Sequence, residues 1–262
     1  AKMRGAYLMD PRWATPMRRA AMEIDYEKII SKEETRELSE AEIFKRVQAG
    51  LYQDDTSYQL EKKILIKSER RAEQVEKVIF QCQACNEFSE FQASGNIFSC
   101  HNCQQKFELD VYGFISSPEG LKFDNLRDWI NWQNENFVTF LRTEYAKGGE
   151  KPLFSAKDMS IERARGNEPM DKLGLGEIHF YNDRLQVNIN DEIIHLDHKG
   201  ITSLSAQYLE RIELFHEDLA FRFVSKKHFE SGLKWELATN VIWSLTGDEH
   251  KVASYFAKLI KA

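Results

Sequence analysis

A chain of 262 residues with a formal net charge of −6 is long enough for one large domain or two modest ones to bury a core without disulfide staples. Its 42% hydrophobic and 30% charged content excludes a disordered chain, and no apolar run reaches the ~20 residues of a membrane-spanning helix. The acidity also argues against sequence-independent nucleic-acid binding, which needs a concentrated basic face.

The opening "AKMRGAYLMDPRW" has no initiator methionine and lacks the apolar core and small-residue cleavage site of a secretory signal, so the chain is expected to begin in mid-protein and to be cytoplasmic. Lys2, Arg4, Arg12, Arg18 and Arg19 face a single early acid, Asp10. Such an excess is either a solvated edge or a surface for lipid headgroups or a phosphorylated substrate.

"SKEE" at 31–34 and "SEAE" at 39–42 match the capping box, where a serine oxygen takes a free amide and a glutamate reaches back to the cap. Two short helices are predicted. The second, over 40–49, places Ile43, Phe44 and Val47 on one face and stops near Gly50. "YQDDTSYQLEKK" at 52–63 then reads as a polar connector.

All four cysteines of the chain follow, as Cys82-x-x-Cys85 and Cys100-x-x-Cys103 with fourteen residues between the pairs. Two such turns at the ends of a hairpin can deliver four thiolates to one ion, the zinc-ribbon pattern. Phe88, Phe91, Ile97 and Phe98 flank "SGN" at 94–96, a reverse-turn signal between two short strands. Disulfides or ordinary thiols are the alternatives, and a chain without a secretory signal disfavours the former. Four protein ligands leave no open coordination position, so the expected Zn2+ is structural and its binding is worth about 10 to 16 kcal/mol. His101, inside the second pair, reads as a surface residue rather than a competing ligand.

"DNLRDWINWQNENFVTFLRTEYAK" spaces Leu126, Trp129, Ile130, Phe137, Phe140, Leu141 and Tyr145 at three- and four-residue steps, predicting an amphipathic helix that ends before Gly148-Gly149. Its aromatics read as core; a cofactor box built from Trp129 and Trp132 is disfavoured. From about residue 154 the period becomes two. "GEIHFYNDRLQVNIND" reads as a hairpin about Asn182-Asp183, and "EIIHL", "GITSLSA", "YLERIELFH" and "LAFRFVS" suggest further strands with turns at 198–200 and 217–218. "GLKWELATNVIWSLTG" closes the set as a helix ended by Gly247. About seven strands and a final helix is the element order of a pleckstrin-homology-like β-barrel capped by that helix. "HLDH" at 195–198 is taken as an exposed loop whose two histidines face different ways. "GNEPMDKLGLG" at 166–176 lacks the Gly-Lys-Ser/Thr ending of a phosphate cradle and reads as a flexible loop.

Taken together, "RGAYLMDPRWATPMRR", "AEQVEKVIFQCQAC", "CHNC", "VYGF", "RDWINWQ" and "GLKWELATN" resemble, in their order, the C-terminal part of bacterial 1-acyl-sn-glycerol-3-phosphate acyltransferases of the long type. With these elements, the resemblance gives an expected α+β multidomain chain: an acyltransferase-domain edge (1–30), which the resemblance implies, then a helical linker (31–78), a zinc ribbon (79–115), an amphipathic helix (116–150), a barrel with its capping helix (154–247) and a tail helix (248–262). It also implies that the parent enzyme acylates lysophosphatidic acid with a His-x-x-x-x-Asp motif. No histidine here is followed five positions on by aspartate, and the family's Glu-Gly-Thr-Arg block is missing too, so no catalytic residue is carried over. The implied partners are the family's own acyltransferase domain and an anionic membrane surface at the inner face of the plasma membrane; nucleic acid is not expected. Between residues 80 and 112, Glu87, Glu90, Glu108 and Asp110 oppose Lys106 alone, which also disfavours a nucleic-acid-binding ribbon. A stand-alone ribbon-plus-barrel module for protein or lipid recognition is the alternative.

Overall fold

A computed structural model describes residues 1–14, 17–207, 211–225 and 230–261. At the start, β1 (Lys2–Arg4) pairs antiparallel with β2 (Glu23–Asp25), and a single helical turn, α1 (Ala6–Met9), lies between them. The two capping boxes form as the sequence dictates. The Ser31 and Glu34 side-chain oxygens each accept from the other's main-chain amide at the start of α2 (Glu34–Glu37), and those of Ser39 and Glu42 do so at the start of α3 (Glu40–Leu51). Contrary to the apolar face expected of it, α3 buries nothing: Phe44 is 68% exposed.

The predicted polar connector at 52–63 is instead a helix, α4 (Asp55–Lys62). Asp54 caps it by accepting from the Thr56 and Ser57 amides, and the polar composition conceals a role for Gln59. Its buried side chain donates to the Ile64 and Tyr112 carbonyls and accepts from the Ile64 amide, pinning α4 to the cysteine-bearing sheet. Within the expected linker, α-helix is confined to 34–62, and a 3-10 turn follows at Val75–Lys77. Elsewhere beyond 62 the linker is extended or tightly turned, and Ile66, Ala72, Val75 and Val78 are buried.

The cysteine-bearing sheet has four antiparallel strands in sequential order, β3 (Phe91–Ser94), β4 (Ile97–Cys100), β5 (Lys106–Leu109) and β6 (Ile115–Ser116). Gly95 takes φ +61° in the β3–β4 turn, which its lack of a Cβ permits. One face of this sheet, with Phe91, Phe98 and Phe107 fully buried, closes on Trp129 near the start of α5 (Leu126–Lys147). Each such ring contributes about 1.5–3 kcal/mol through burial. Two to three turns later the same helix places Phe137, Val138 and Leu141 in a second, larger core. Helix α5 therefore belongs to both.

That second core lies inside a curled seven-stranded antiparallel sheet, a half-barrel built from β7 (Phe154–Arg165), β8 (Asp171–Phe180), β9 (Arg184–Ile189), β10 (Glu192–Asp197), β11 (Ile201–Gln207), β12 (Arg211–His216) and β13 (Leu219–Ser225). The spatial order is β10-β9-β8-β7-β13-β12-β11, so the last strand returns to pair with the first. Alternation drives burial: Leu185, Val187 and Ile189 of β9 point inward while their neighbours do not. The predicted strand at 208–216 is seen from Arg211; residues 208–210 lie outside the described set. Helix α6 (Gly232–Leu245) fills the sheet's concave side with Leu237, Ala238, Val241 and Ile242, and α7 (Ser254–Lys261) adds Phe256 and Ile260.

Two sequence expectations fail here. The supposed flexible loop at 166–176 is largely the first half of β8, whose Gly176 is needed because a Cβ there would stand 2.4 Å from the Asn188 carbonyl oxygen. "HLDH" is not an exposed loop either. His195 is exposed on β10, while His198 is buried against Phe180 and bonds through Nε2 to the Tyr181 carbonyl.

Candidate metal centre

The two Cys-x-x-Cys segments fold into the same hydrogen-bonded turn. Asn86 N donates to Cys82 O and Cys82 N to Glu87 O; likewise, Gln104 N donates to Cys100 O and Cys100 N to Gln105 O. Asn86 and Gln104, each just after its second cysteine, both take φ +62°. This left-handed step reverses the chain so that both thiols of a pair face the same point. An Asn or Gln there tolerates it better than a β-branched residue. The β3–β4 hairpin supplies the rest of the geometry. Its register puts Phe91 opposite Cys100, and the Gln81–Phe88 bridge holds the first turn alongside.

Together the turns bring the four sulfurs within 4.8 Å of one another. Cys82 Sγ and Cys103 Sγ are 3.7 Å apart. A disulfide needs about 2.05 Å, whereas the edge of a tetrahedron with metal–sulfur arms of about 2.3 Å is about 3.8 Å. The cluster therefore has the shape of a tetrathiolate site able to hold one metal ion. Cys82 and Cys100 are buried, Cys85 is half-buried and Cys103 is exposed, so the site sits at the rim of the aromatic core.

Electrostatics fit the same reading. Burial pushes the Cys82 thiol up, so a thiolate there calls for a cation. At Cys85 burial also opposes ionisation, but the hydrogen bond from Asn102 and others from the Glu87 amide and neighbouring thiols outweigh it and bring the group to about 7. Asn102 Nδ2 lies 3.6 Å from Cys85 Sγ, and Ser89 Oγ lies 3.4 Å from Cys100 Sγ while accepting from the Asn102 amide. Sequence reading missed both residues. An amide side chain inside the second Cys-x-x-Cys was the available signal.

The residues read as surface or core lie apart from the thiols, as expected. His101 is exposed and pairs with Glu90 at 3.6 Å rather than joining the thiols. Trp129 is wholly core, and Trp132 lies under the Lys122 ammonium at 4.2 Å. Of the five early cations, Arg4 is bound to Asp25 at 2.7 Å and Arg18 is buried against the Trp13 ring, which leaves Lys2 half-buried and Arg12 and Arg19 exposed. Among the described residues no helix is long and apolar enough to cross a membrane. No family model matches the chain, and no curated protein matches it.

Proposed function

We propose that this chain is a non-catalytic accessory region whose metal site is a structural zinc ribbon, joined through α5 to a pleckstrin-homology-like barrel, in a phospholipid-synthesising 1-acyl-sn-glycerol-3-phosphate acyltransferase. The non-catalytic reading rests on the missing His-x-x-x-x-Asp motif, and the observation that carries the structural reading of the metal is the donor set. Four thiols converge on one point, and an ion held by all four has no position left for substrate or water. Zn2+ is the natural occupant, since four soft thiolates in a tetrahedron suit it best outside iron sites.

The barrel reading draws support from the strand order, in which four meandering strands are followed by three that return to the first, with α6 filling the concave side. The acyltransferase reading rests on the order of the quoted motifs. It makes the parent's acyltransferase domain the first partner. An anionic bilayer, the second, would have to be met through Arg12 and Arg19 now that Arg18 is turned inward.

The coding sequence upstream of Ala1 tests the family reading. A His-x-x-x-x-Asp motif there supports it; a start codon directly before Ala1 contradicts it and leaves a stand-alone binding module. Purified chain given lysophosphatidic acid and an acyl thioester is expected to show no turnover. Co-sedimentation with anionic vesicles, lost on adding salt, tests the membrane contact.

A further inference from the structure

A cavity of about 770 Å³ opens between the N-terminal segment, α4 and the first turns of α5, away from the cysteines. That volume lies within the range of small-molecule sites. Its walls combine Trp13, Tyr112, Leu126 and Ile130 with a small set of charged groups. Most of those charges are already matched. Arg127 binds Asp54 at 2.5 Å and Asp128 at 2.9 Å, and Asp55 accepts from the Gly5 and Tyr7 amides.

Arg18 is different. It lines the cavity, is 6% exposed, and stacks over the Trp13 ring at 4.6 Å. One guanidinium nitrogen donates to the Arg71 carbonyl, while Nε donates to nothing. Its titratable neighbours are the neutral Tyr7 hydroxyl and a second guanidinium, Arg71, and no carboxylate among the described residues pairs with it. Arg71 spends its own donors on the Ser68 and Leu109 carbonyls. A buried, uncompensated guanidinium with an idle N–H is costly unless an anion completes it. Burial depresses Arg18 only to about 10, so it stays charged at neutral pH.

We propose that this cavity binds a small organic anion, with its carboxylate or phosphate on the Arg18 guanidinium and its apolar body beside Trp13, Leu126 and Ile130. Guanidinium suits either oxyanion, because its planar donors match both geometries. The aromatic and aliphatic walls favour an amphiphilic ligand over a bare inorganic ion.

Calorimetric titration of the full, metal-loaded chain with 2-naphthoate, 2-naphthyl phosphate and neutral 2-naphthamide tests this. At least one anion should bind about tenfold or more tightly than the amide, and Arg18→Gln should abolish that preference. Preference for the phosphate assigns the site to phosphate esters, and preference for the carboxylate assigns it to carboxylic acids. In the unmutated protein, the Arg18 Nε–H proton resonance should move with the preferred anion and not with the amide, which does not depend on how well Arg18→Gln folds. Equal binding of all three probes, no binding, or an unmoved Arg18 resonance overturns the proposal.

Discussion

Gln133 Oε1 accepts from the main-chain amide of Phe80 at 3.0 Å, two residues before the first cysteine. The same buried side chain accepts from the Gln81 amide and donates to the Val78 carbonyl, while Trp129 Nε1 donates to the Gln81 carbonyl. Helix α5 thus grips the segment that leads into the metal centre, with polar bonds made where water cannot replace them. Loss of Gln133 leaves those main-chain groups buried and unpaired. Gln133→Leu should cost about 3 kcal/mol in denaturant unfolding of the metal-loaded protein, while retaining the metal. A cost within about 0.5 kcal/mol would show that the grip is incidental.

Glu76 is buried beside Glu73, with Oε2 unpartnered, and burial raises its carboxyl to about 7. The folded state therefore holds a proton that the unfolded chain releases above about 4.5, so this residue destabilises increasingly as pH rises from 4.5 to 7 and fully above that. Glu76→Gln should gain up to about 3 kcal/mol at pH 8 and nothing at pH 4. Stability curves at both pH values check the sign.

His198 has the opposite linkage. Burial lowers it to about 4 from an ordinary 6.5, with Nε2 committed to Tyr181 and no partner for Nδ1. Its contribution is present above pH 6.5 and is lost as pH falls toward 4, because the unfolded chain takes up the proton first. Between pH 7 and pH 4 the unmodified protein should lose about 3 kcal/mol more than His198→Gln. Acid release of the metal is common to both and cancels in the difference.

Cys100 anchors the end of β4 as well as the second turn. Cys100→Ser should therefore lose the metal and expose the 82–103 segment to protease, while the half-barrel core around Val187, Phe221 and Leu237 stays intact. Limited proteolysis with mass spectrometry reads both outcomes. Simultaneous collapse of the half-barrel would show that α5 makes the two cores one cooperative unit.

Much of this was legible because the signals are local. Spacing revealed the two cysteine turns, Ser39 and Glu42 announced α3, and β9 betrayed itself by strict alternation. What stayed hidden depends on distant partners. Helix α4 looks like a connector because Gln59 is satisfied by carbonyls as far away as Tyr112. Strand β7 is not among the expected strands, and bulges, one of them near Asp158 at φ +55°, interrupt its alternation. Gly176 suggested a loop although it marks the close approach of another strand. In the N-terminal segment, a run of cations said nothing about which one would be turned inward under Trp13. The apolar face of α3 misled in the other direction, since periodicity announces a face but not its partner.

X-ray absorption at the zinc edge, with elemental analysis on reduced, natively purified protein, bears most directly on the metal centre. One zinc per chain bound by four sulfurs at about 2.3 Å is the expected result. Substoichiometric metal, or a shell containing nitrogen or oxygen in place of any of Cys82, Cys85, Cys100 and Cys103, would contradict it.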